Sequence, residues 1–464
     1  MSSIQVIYTD ASPNFANIWT EFGHERRVLE KGWVRETGRR PLPVSMIWEK
    51  DVSIKLRDVI TLYGDVFRPM DSDDKPVPAI LPWSPYGKTG TGNQTLDMMP
   101  WRVGIPKDMT SGLEKFEAPD PAEWIQRGYA IVNVDARGAF HSEGDIQHWN
   151  TQEGRDGYDT IEWIAEQKWC NGSVGLAGNS WLGVTQWLIA AEQPPHLKAI
   201  APWEGLSDLF KQSLCRGGIP NLPFWDFVGY VIARRKNGTT ITNPRMLMIS
   251  SSFWTGTSRT SGDVQYNAEL RPGPGAKFVY KFSKYTELCG FSKAHLFMSA
   301  PNHDDMDVFV VIRKLDKYGV SLEHFNIPIK DLPEGTEPDQ IPKSNIFRYV
   351  GPNGCLRASR RYREEEPGLT ASQRALLSPA YVYHPLDREE KISPGQVVEL
   401  EIGIWPGGMI FDSDESLSFE IKGFFAIRPE FENLLDMMEN HNKGTQRVHC
   451  GGEYPSSLLV ALSS

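Results

Sequence analysis

Ser180 occupies a setting suited to nucleophilic chemistry. In LAGNSWLGVTQW it directly follows a short apolar run and directly precedes a helical pattern. A sharp strand-to-helix turn of this kind tolerates only small flanking residues and thrusts the serine Oγ out at the carboxyl end of a sheet. The helix N-terminus beneath it supplies backbone N–H groups and a positive dipole end for a developing oxyanion. Gly178 stands two places before the serine, while the second glycine, Gly183, falls one place later than in a Gly-x-Ser-x-Gly pattern, and Leu182 takes the usual position. The alternative is a buried serine capping an ordinary strand-to-helix turn in a nucleotide-type α/β fold.

A serine hydroxyl is a weak nucleophile until a base takes its proton and an acid orients that base. After Ser180 the histidines are His196, His295, His303, His324, His384, His441 and His449. His196 falls in a surface turn, EQPPHLKAI, and His295 and His384 fall in strand patterns. His303, in PNHDDMD, has carboxylates beside it but reads as a turn between strands. A structural role is the plainer expectation for each of them. Before the serine, His141 in GAFHSEG lies on a loop at the strand ends from which Ser180 should also emerge, and is the least unsuited stand-in. Nothing in the pattern calls for a metal or cofactor: the five cysteines are widely spaced and form no C-x-x-C pair.

The elements that must position Ser180 are legible around it. Four short apolar runs, VPAILPW (77–83), AIVNVD (130–135), SVGLAG (173–178) and LKAIAPW (197–203), alternate with loop or helix signals. Such runs predict strands buried on both faces, hence a parallel sheet with crossovers. IKLRDVITLYGDVFRP predicts an antiparallel pair at the sheet edge. GYDTIEWIAEQKW predicts the helix before Ser180, with Tyr158, Ile161 and Ile164/Ala165 on one face. Leu182, Trp187, Leu188 and Ala191 are expected to share a face on the helix after it. Beyond about residue 277 the period switches to that of strands, as in GQVVELEIGIWP and SLSFEIKGF, which predicts an antiparallel sandwich or jelly roll. Residues 1–45 read as an N-terminal extension with helical character, and 332–348 as a surface loop.

The bulk properties narrow the function classes. A length of 464 residues implies two domains plus appendages. A net charge of −10 argues against nucleic acid or an anionic membrane as the main partner. The absence of a basic-then-apolar leader, of a long apolar run and of a disulfide framework leads us to expect a cytoplasmic protein. The pattern is silent on oligomeric state.

Several motifs together resemble one family. GNSWLGVTQW is similar to the nucleophile motif of the cocaine-esterase/X-Pro dipeptidyl-peptidase (peptidase S15-like) family of α/β-hydrolases, in which an aromatic residue follows the serine. DARGAFHSEG (135–144) and EGRDGYDTIEWIAEQKWCNGSVGLAG resemble that family's segments leading into the turn. FVYKFSKYTELCGFSKAHLFMSA, DDMDVFVVIRKLD, GCLRASRR, ISPGQVVELEI and NKGTQRVHCGGEYPSSLLV resemble the strands of its C-terminal jelly-roll domain. The resemblance implies an α/β plus all-β architecture: an α/β-hydrolase domain over 46–240, with a helical cap at about 204–233, then a jelly-roll β-sandwich over 241–464. It further implies a serine hydrolase that cleaves a small-molecule ester or amide through an acyl-enzyme on Ser180, the oxyanion held by the Trp181 N–H and the hydroxyl of Tyr86 in LPWSPYGK.

The same resemblance exposes a shortage. In this fold the acid and the histidine follow the nucleophile on loops after later strands. The elbow helix, the strand 197–203 and the cap consume the chain to about residue 233, and the first sandwich strand begins near Lys277. That leaves too little chain for two more strand–helix units of roughly 30 residues each. NPRMLMISSSFWTG instead resembles the connector into the jelly roll, and no histidine lies between His196 and His295. An internal deletion that removes the triad acid and base is therefore expected, along with an exposed sheet edge. The alternative function is an inactive, internally deleted hydrolase homologue that acts as a binding protein or represents a truncated gene product. An acyltransferase is a third possibility.

Overall fold

The computed structural model describes residues 7–9, 22–89, 95–221, 240–242, 263–269, 273, 275–385, 387–425 and 442–462. The expected connector at 243–256, the latter part of the expected cap and His441 lie outside the described residues. Two compact units divide the chain, the first built mainly from Met1–Ser207 and the second mainly from Leu247–Ile329 and Gly335–Ser464 together with Asp208–Trp225.

The first unit is organised on one sheet. Its strands are β1 (Glu25–Leu29), β2 (Met46–Lys55), β3 (Thr61–Pro69), β4 (Val77–Leu81), β5 (Ala130–Asp135), β6 (Cys170–Asn179) and β7 (Leu197–Trp203). They lie in the order β1-β2-β3-β5-β4-β6-β7. The pairs β4/β5, β4/β6 and β6/β7 are parallel, and β1/β2, β2/β3 and β3/β5 are antiparallel. All six residues of β5 are buried. Alternate side chains enter two cores: Ala130, Val132 and Val134 join Leu81, Val174 and Leu176 in one, while Ile131 joins Ile80, Phe67 and Ala177 in the other. This is why the run is continuously apolar rather than alternating. β7, at the end of the strand order, has no fully buried residue.

Three local expectations change. Glu25–Leu29 is a strand paired with Met46–Lys50, not part of a helix; its charged side chains are exposed and only Leu29 is buried. The helix α1 (Thr151–Ala165) buries Glu153, Gly157, Thr160, Ile161 and Ile164, whereas Tyr158 is not among its buried residues and lies beneath the Arg57 guanidinium. Glycine makes that interface. A Cβ at Gly154 would lie 2.7 Å from the Leu188 carbonyl oxygen, and one at Gly157 would lie 2.4 Å from Ile189, so the two helices approach backbone to backbone. The helix α2 (Trp181–Ala191) buries every residue from Trp181 to Gln186, while Trp187 faces outward.

The second unit is a β-sandwich. Strands β8 (Val264–Asn267), β9 (Ala276–Lys281), β10 (Thr286–Ser299), β11 (Asp307–Leu315), β12 (Asn353–Arg357), β13 (Val398–Phe411), β14 (Ser416–Lys422) and β15 (Thr445–Gly451) form two antiparallel sheets. Their orders are β8-β15-β10-β13 and β9-β14-β11-β12. Leu296, Met298, Val310, Leu400, Ile402, Phe419 and Ile421 meet in the core between them, as the period-2 patterns require. His384, expected in a strand, lies in irregular chain with its ring nitrogens on the carbonyls of Tyr362 and Glu401. No helix among the described residues is long and apolar enough to cross a membrane, and all five cysteines are free.

Candidate active site

Ser180 joins β6 to α2 in a backbone conformation that few non-glycine residues adopt, with φ 57° and ψ −117°. Such a conformation costs on the order of 1–3 kcal/mol and persists only where its surroundings enforce it. Here they do. The Ser180 N–H donates to the Trp203 carbonyl at the end of β7 (3.1 Å), and the Ser180 carbonyl accepts from the N–H groups of Gly183 (2.9 Å) and Val184 (3.0 Å). The side chain makes no cap hydrogen bond, which sets this residue apart from a serine that merely caps a helix.

The spacing of the two glycines follows from contact. Gly178 has φ +147°, and a Cβ there would lie 2.5 Å from the Leu182 side chain. A Cβ at Gly183 would lie 2.5 Å from the Trp203 carbonyl oxygen that receives the Ser180 N–H. The second glycine is therefore needed where α2 crosses the end of β7, one residue later than in the commoner pattern.

Trp181 and Tyr86 are brought together. Trp181 is the first residue of α2 and fully buried, and its ring centroid lies 6.0 Å from that of Tyr86 in an edge-on contact. Ile146 and Leu182 complete the cluster, with Phe116 and Trp149 packed against it. The loop bearing Tyr86 is pinned just beyond it, where the Lys88 ammonium lies 2.7 Å from Asp51 and 3.4 Å from Asp135, and Thr89 donates to Asp65 (2.6 Å). Burial would lower the Lys88 pKa, but the carboxylates of Asp135, Asp65 and Asp51 raise it above its ordinary value.

Two carboxyl groups near the elbow were not singled out from sequence. Glu117 accepts the Asn179 N–H on its carbonyl oxygen (3.1 Å), and the Asn179 side-chain amide lies 3.4 Å from its Oε1. Burial pushes the Glu117 carboxyl up to about 8, the Asn179 amide opposes this and Glu204 adds to it. Glu153, in the first turn of α1, accepts the indole N–H groups of Trp83 (3.1 Å) and Trp181 (2.9 Å) and the backbone N–H of Trp149 (2.9 Å). Burial pushes it up to about 7. His148 was missed as well. Its ring packs against Trp149 and Trp181, each at 4.9 Å, and burial lowers its pKa to about 4. The available signal was its place on the loop after β5, the same loop that carries His141.

The other imidazoles are engaged elsewhere. His141 stacks on Phe22 at 4.3 Å. His196 lies 2.7 Å from Glu162 just before β7 begins, at the opposite end of the strands from Ser180. In the sandwich, His303 bonds the Asp305 carbonyl, and His295 lies 2.9 Å from Glu399. His449 bridges Ser299 Oγ (2.9 Å, through Nε2) and Asp263 (2.8 Å, through Nδ1). None of these imidazole bonds goes to Ser180. The ring of His295 and the carboxylates of Glu399 and Glu401 are close enough to share a metal ion, but Arg363 and Lys293 already neutralise the two acids.

Comparison with known proteins agrees with this architecture. Residues 58–246 match the sequence profile of the X-Pro dipeptidyl-peptidase (S15) family, and residues 246–459 match that of the X-Pro dipeptidyl-peptidase C-terminal non-catalytic domain. Cocaine esterase of Rhodococcus sp. strain MB1 Bresler is 36% identical over 162 residues, which is 35% of this chain and 24% of that enzyme. The Xaa-Pro dipeptidyl-peptidase of Lactobacillus delbrueckii subsp. lactis is 26% identical over 188 residues, 31% of this chain and 24% of that protein. The chain thus matches about a quarter of the length of each of these two relatives. Among solved structures, a CocE/NonD family hydrolase from Staphylococcus aureus superposes with a TM-score of 0.71 at 22% identity, covering 98% of this chain and 100% of the other. An α-amino acid ester hydrolase superposes with a TM-score of 0.60 at 12% identity, covering 90% and 97%. These two likenesses show the fold. With both profiles matched in order along it, the chain belongs to the X-Pro dipeptidyl-peptidase (S15) and cocaine-esterase family of α/β-hydrolases.

Proposed function

We propose that this protein is a serine hydrolase that cleaves a small-molecule ester or amide through an acyl-enzyme on Ser180. The observation that carries the reading is the strained elbow: Ser180 holds φ 57° at the head of α2 with its hydroxyl not spent on capping. In the first step Ser180 Oγ attacks the carbonyl carbon and the carbonyl oxygen becomes an oxyanion. The backbone N–H of Trp181, at the positive end of α2, and the Tyr86 hydroxyl are the donors we assign to it. The tetrahedral species collapses to an acyl-serine as the alcohol or amine leaves with the proton given up by the Ser180 hydroxyl, and water then attacks the acyl carbon, returns a proton to Oγ and releases the acid. Relatives named as a cocaine esterase and an Xaa-Pro dipeptidyl-peptidase support both ester and amide substrates.

A fluorophosphonate probe tests this directly, because it phosphonylates an activated serine without needing the correct substrate. Labelling of the folded protein that disappears in Ser180→Ala supports the proposal. A folded, monodisperse sample that stays unlabelled at high probe concentration overturns it.

A further inference from the structure

The carboxylate of Glu153 is buried, at 2% exposure, beneath the elbow. Its three partners come from three different elements: Trp83 just after β4, Trp149 in the loop before α1, and Trp181 at the head of α2. Every one of them is an N–H donor. Both indoles donate to Oε1 and the Trp149 backbone donates to Oε2. The ionised carboxylate is the stronger acceptor for all three bonds, whereas a protonated one carries an O–H of its own among partners that are all donors. The first turn of α1 favours that charge, with Asn150 capping the N–H groups of Gln152 (3.0 Å) and Glu153 (3.2 Å).

We infer that Glu153 is the positioning residue of the oxyanion site, where its ionised carboxylate holds the Trp181 indole and so fixes the backbone N–H beside Ser180; the inference rests on the roles proposed above for Ser180 and Trp181. The Trp181 ring is also the surface against which Tyr86 packs at 6.0 Å and Trp149 at 4.7 Å. Losing the carboxylate's grip therefore loosens both proposed oxyanion donors together. Glu153 itself touches no substrate in this scheme.

Protonation is the natural way to lose that grip. Burial raises the Glu153 carboxyl to about 7, against the pull of the Trp181, Trp149 and Trp83 N–H groups. The charged and titratable groups facing it are few. On α1 there is Asp156, which raises the value further but is itself bonded by the Arg137 guanidinium. The loop before α1 brings His148, which burial keeps uncharged at neutral pH. The segment just after β4 and the head of α2 contribute the indoles. Reactivity of Ser180 should accordingly rise with pH through an acid limb centred near neutrality.

The test follows the fluorophosphonate labelling rate from about pH 5 to about pH 9 in the full-length wild type, Glu153→Gln and Trp181→Phe, with tryptophan emission followed in parallel. Wild type should show an acid limb near pH 7 and an emission change with the same midpoint. E153Q keeps an acceptor for the indoles but cannot ionise; it should lose both the limb and the emission change, and label about tenfold more slowly at high pH. W181F removes the indole N–H and leaves the carboxylate, so its rate at high pH should fall toward the low-pH wild-type rate. That variant keeps the test open where E153Q does not fold. An acid limb and emission change that persist in E153Q, or a wild-type limb and rate in W181F, overturn the inference. If wild type is not labelled at all, the proposed function fails, while the emission titration still decides whether Glu153 ionisation controls the tryptophan cluster.

Discussion

Two serines in this chain illustrate opposite halves of serine catalysis. Ser180 has the strained elbow, a helix N-terminus and a packed pair of prospective oxyanion donors, but none of the imidazole bonds found among the described residues reaches it. Ser299, at the end of β10, has a bonded imidazole. Its Oγ lies 2.9 Å from His449 Nε2, and His449 Nδ1 lies 2.8 Å from Asp263, the order of contacts in a Ser–His–Asp triad. Yet Ser299 is 3% exposed and His449 7%, and no turn thrusts the hydroxyl outward. The Ser299 site therefore reads as a hydrogen-bonded clamp joining β10, β15 and the start of β8. On the assignment proposed above, a triad's bonding order does not by itself make a nucleophile. The serine must also be accessible, and donors must await the oxyanion.

The largest expected effect separates the two sites outright. Ser180→Ala should reduce fluorophosphonate labelling by more than about a thousandfold, and Ser299→Ala should leave it unchanged. Labelling that survives S180A and vanishes in S299A would reverse the assignment. Tyr86→Phe sharpens the oxyanion half: the labelling rate should fall by about a hundredfold while the thermal midpoint moves little. A Y86F rate equal to wild type removes Tyr86 from the scheme.

His449→Ala probes the clamp. It leaves the buried Ser299 hydroxyl without its partner and should cost about 2 kcal/mol in chemical denaturation, with labelling at Ser180 intact. A loss of labelling in folded H449A would join the two sites functionally and break the comparison. The smallest effect concerns Glu117, whose folded-state carboxyl stands at about 8, above the ordinary glutamate value of 4.5. The folded state then binds the extra proton between those values, so this group's contribution to stability falls as pH rises through that window. Wild type should lose at least about 1 kcal/mol relative to Glu117→Gln between about pH 5 and about pH 9. A difference that does not change with pH would show that Glu117 titrates normally.

Much of the scaffold was legible because its signals are local. A buried parallel strand must be apolar on both faces, so AIVNVD announced itself as β5. A strand with one wet face must alternate, as Val398, Leu400, Ile402 and Ile404 do on β13. The errors arose where a neighbour decides. ERRVL looks like charged helix until Met46–Lys50 pairs with it. The buried face of α1 is led by Gly154 and Gly157, which hydrophobic periodicity does not count, because their value lies in letting α2 come close.

The elbow around Ser180 was legible in sequence alone, since a strand, two glycines and a helix start fall within a dozen residues, although the position of Gly183 answers to the Trp203 carbonyl at the end of β7. The electrostatics around it were decided only by tertiary structure. Glu153 reads in QEGRDGYD as an ordinary acid in a first helical turn, and only packing brings the indoles of Trp83 and Trp181, 70 and 28 positions away, onto it. The Ser299 clamp likewise joins residues 150 positions apart along the chain. Burial, and hence the energy of a charge or the reach of a hydroxyl, is a property of the folded environment that no short stretch of sequence contains.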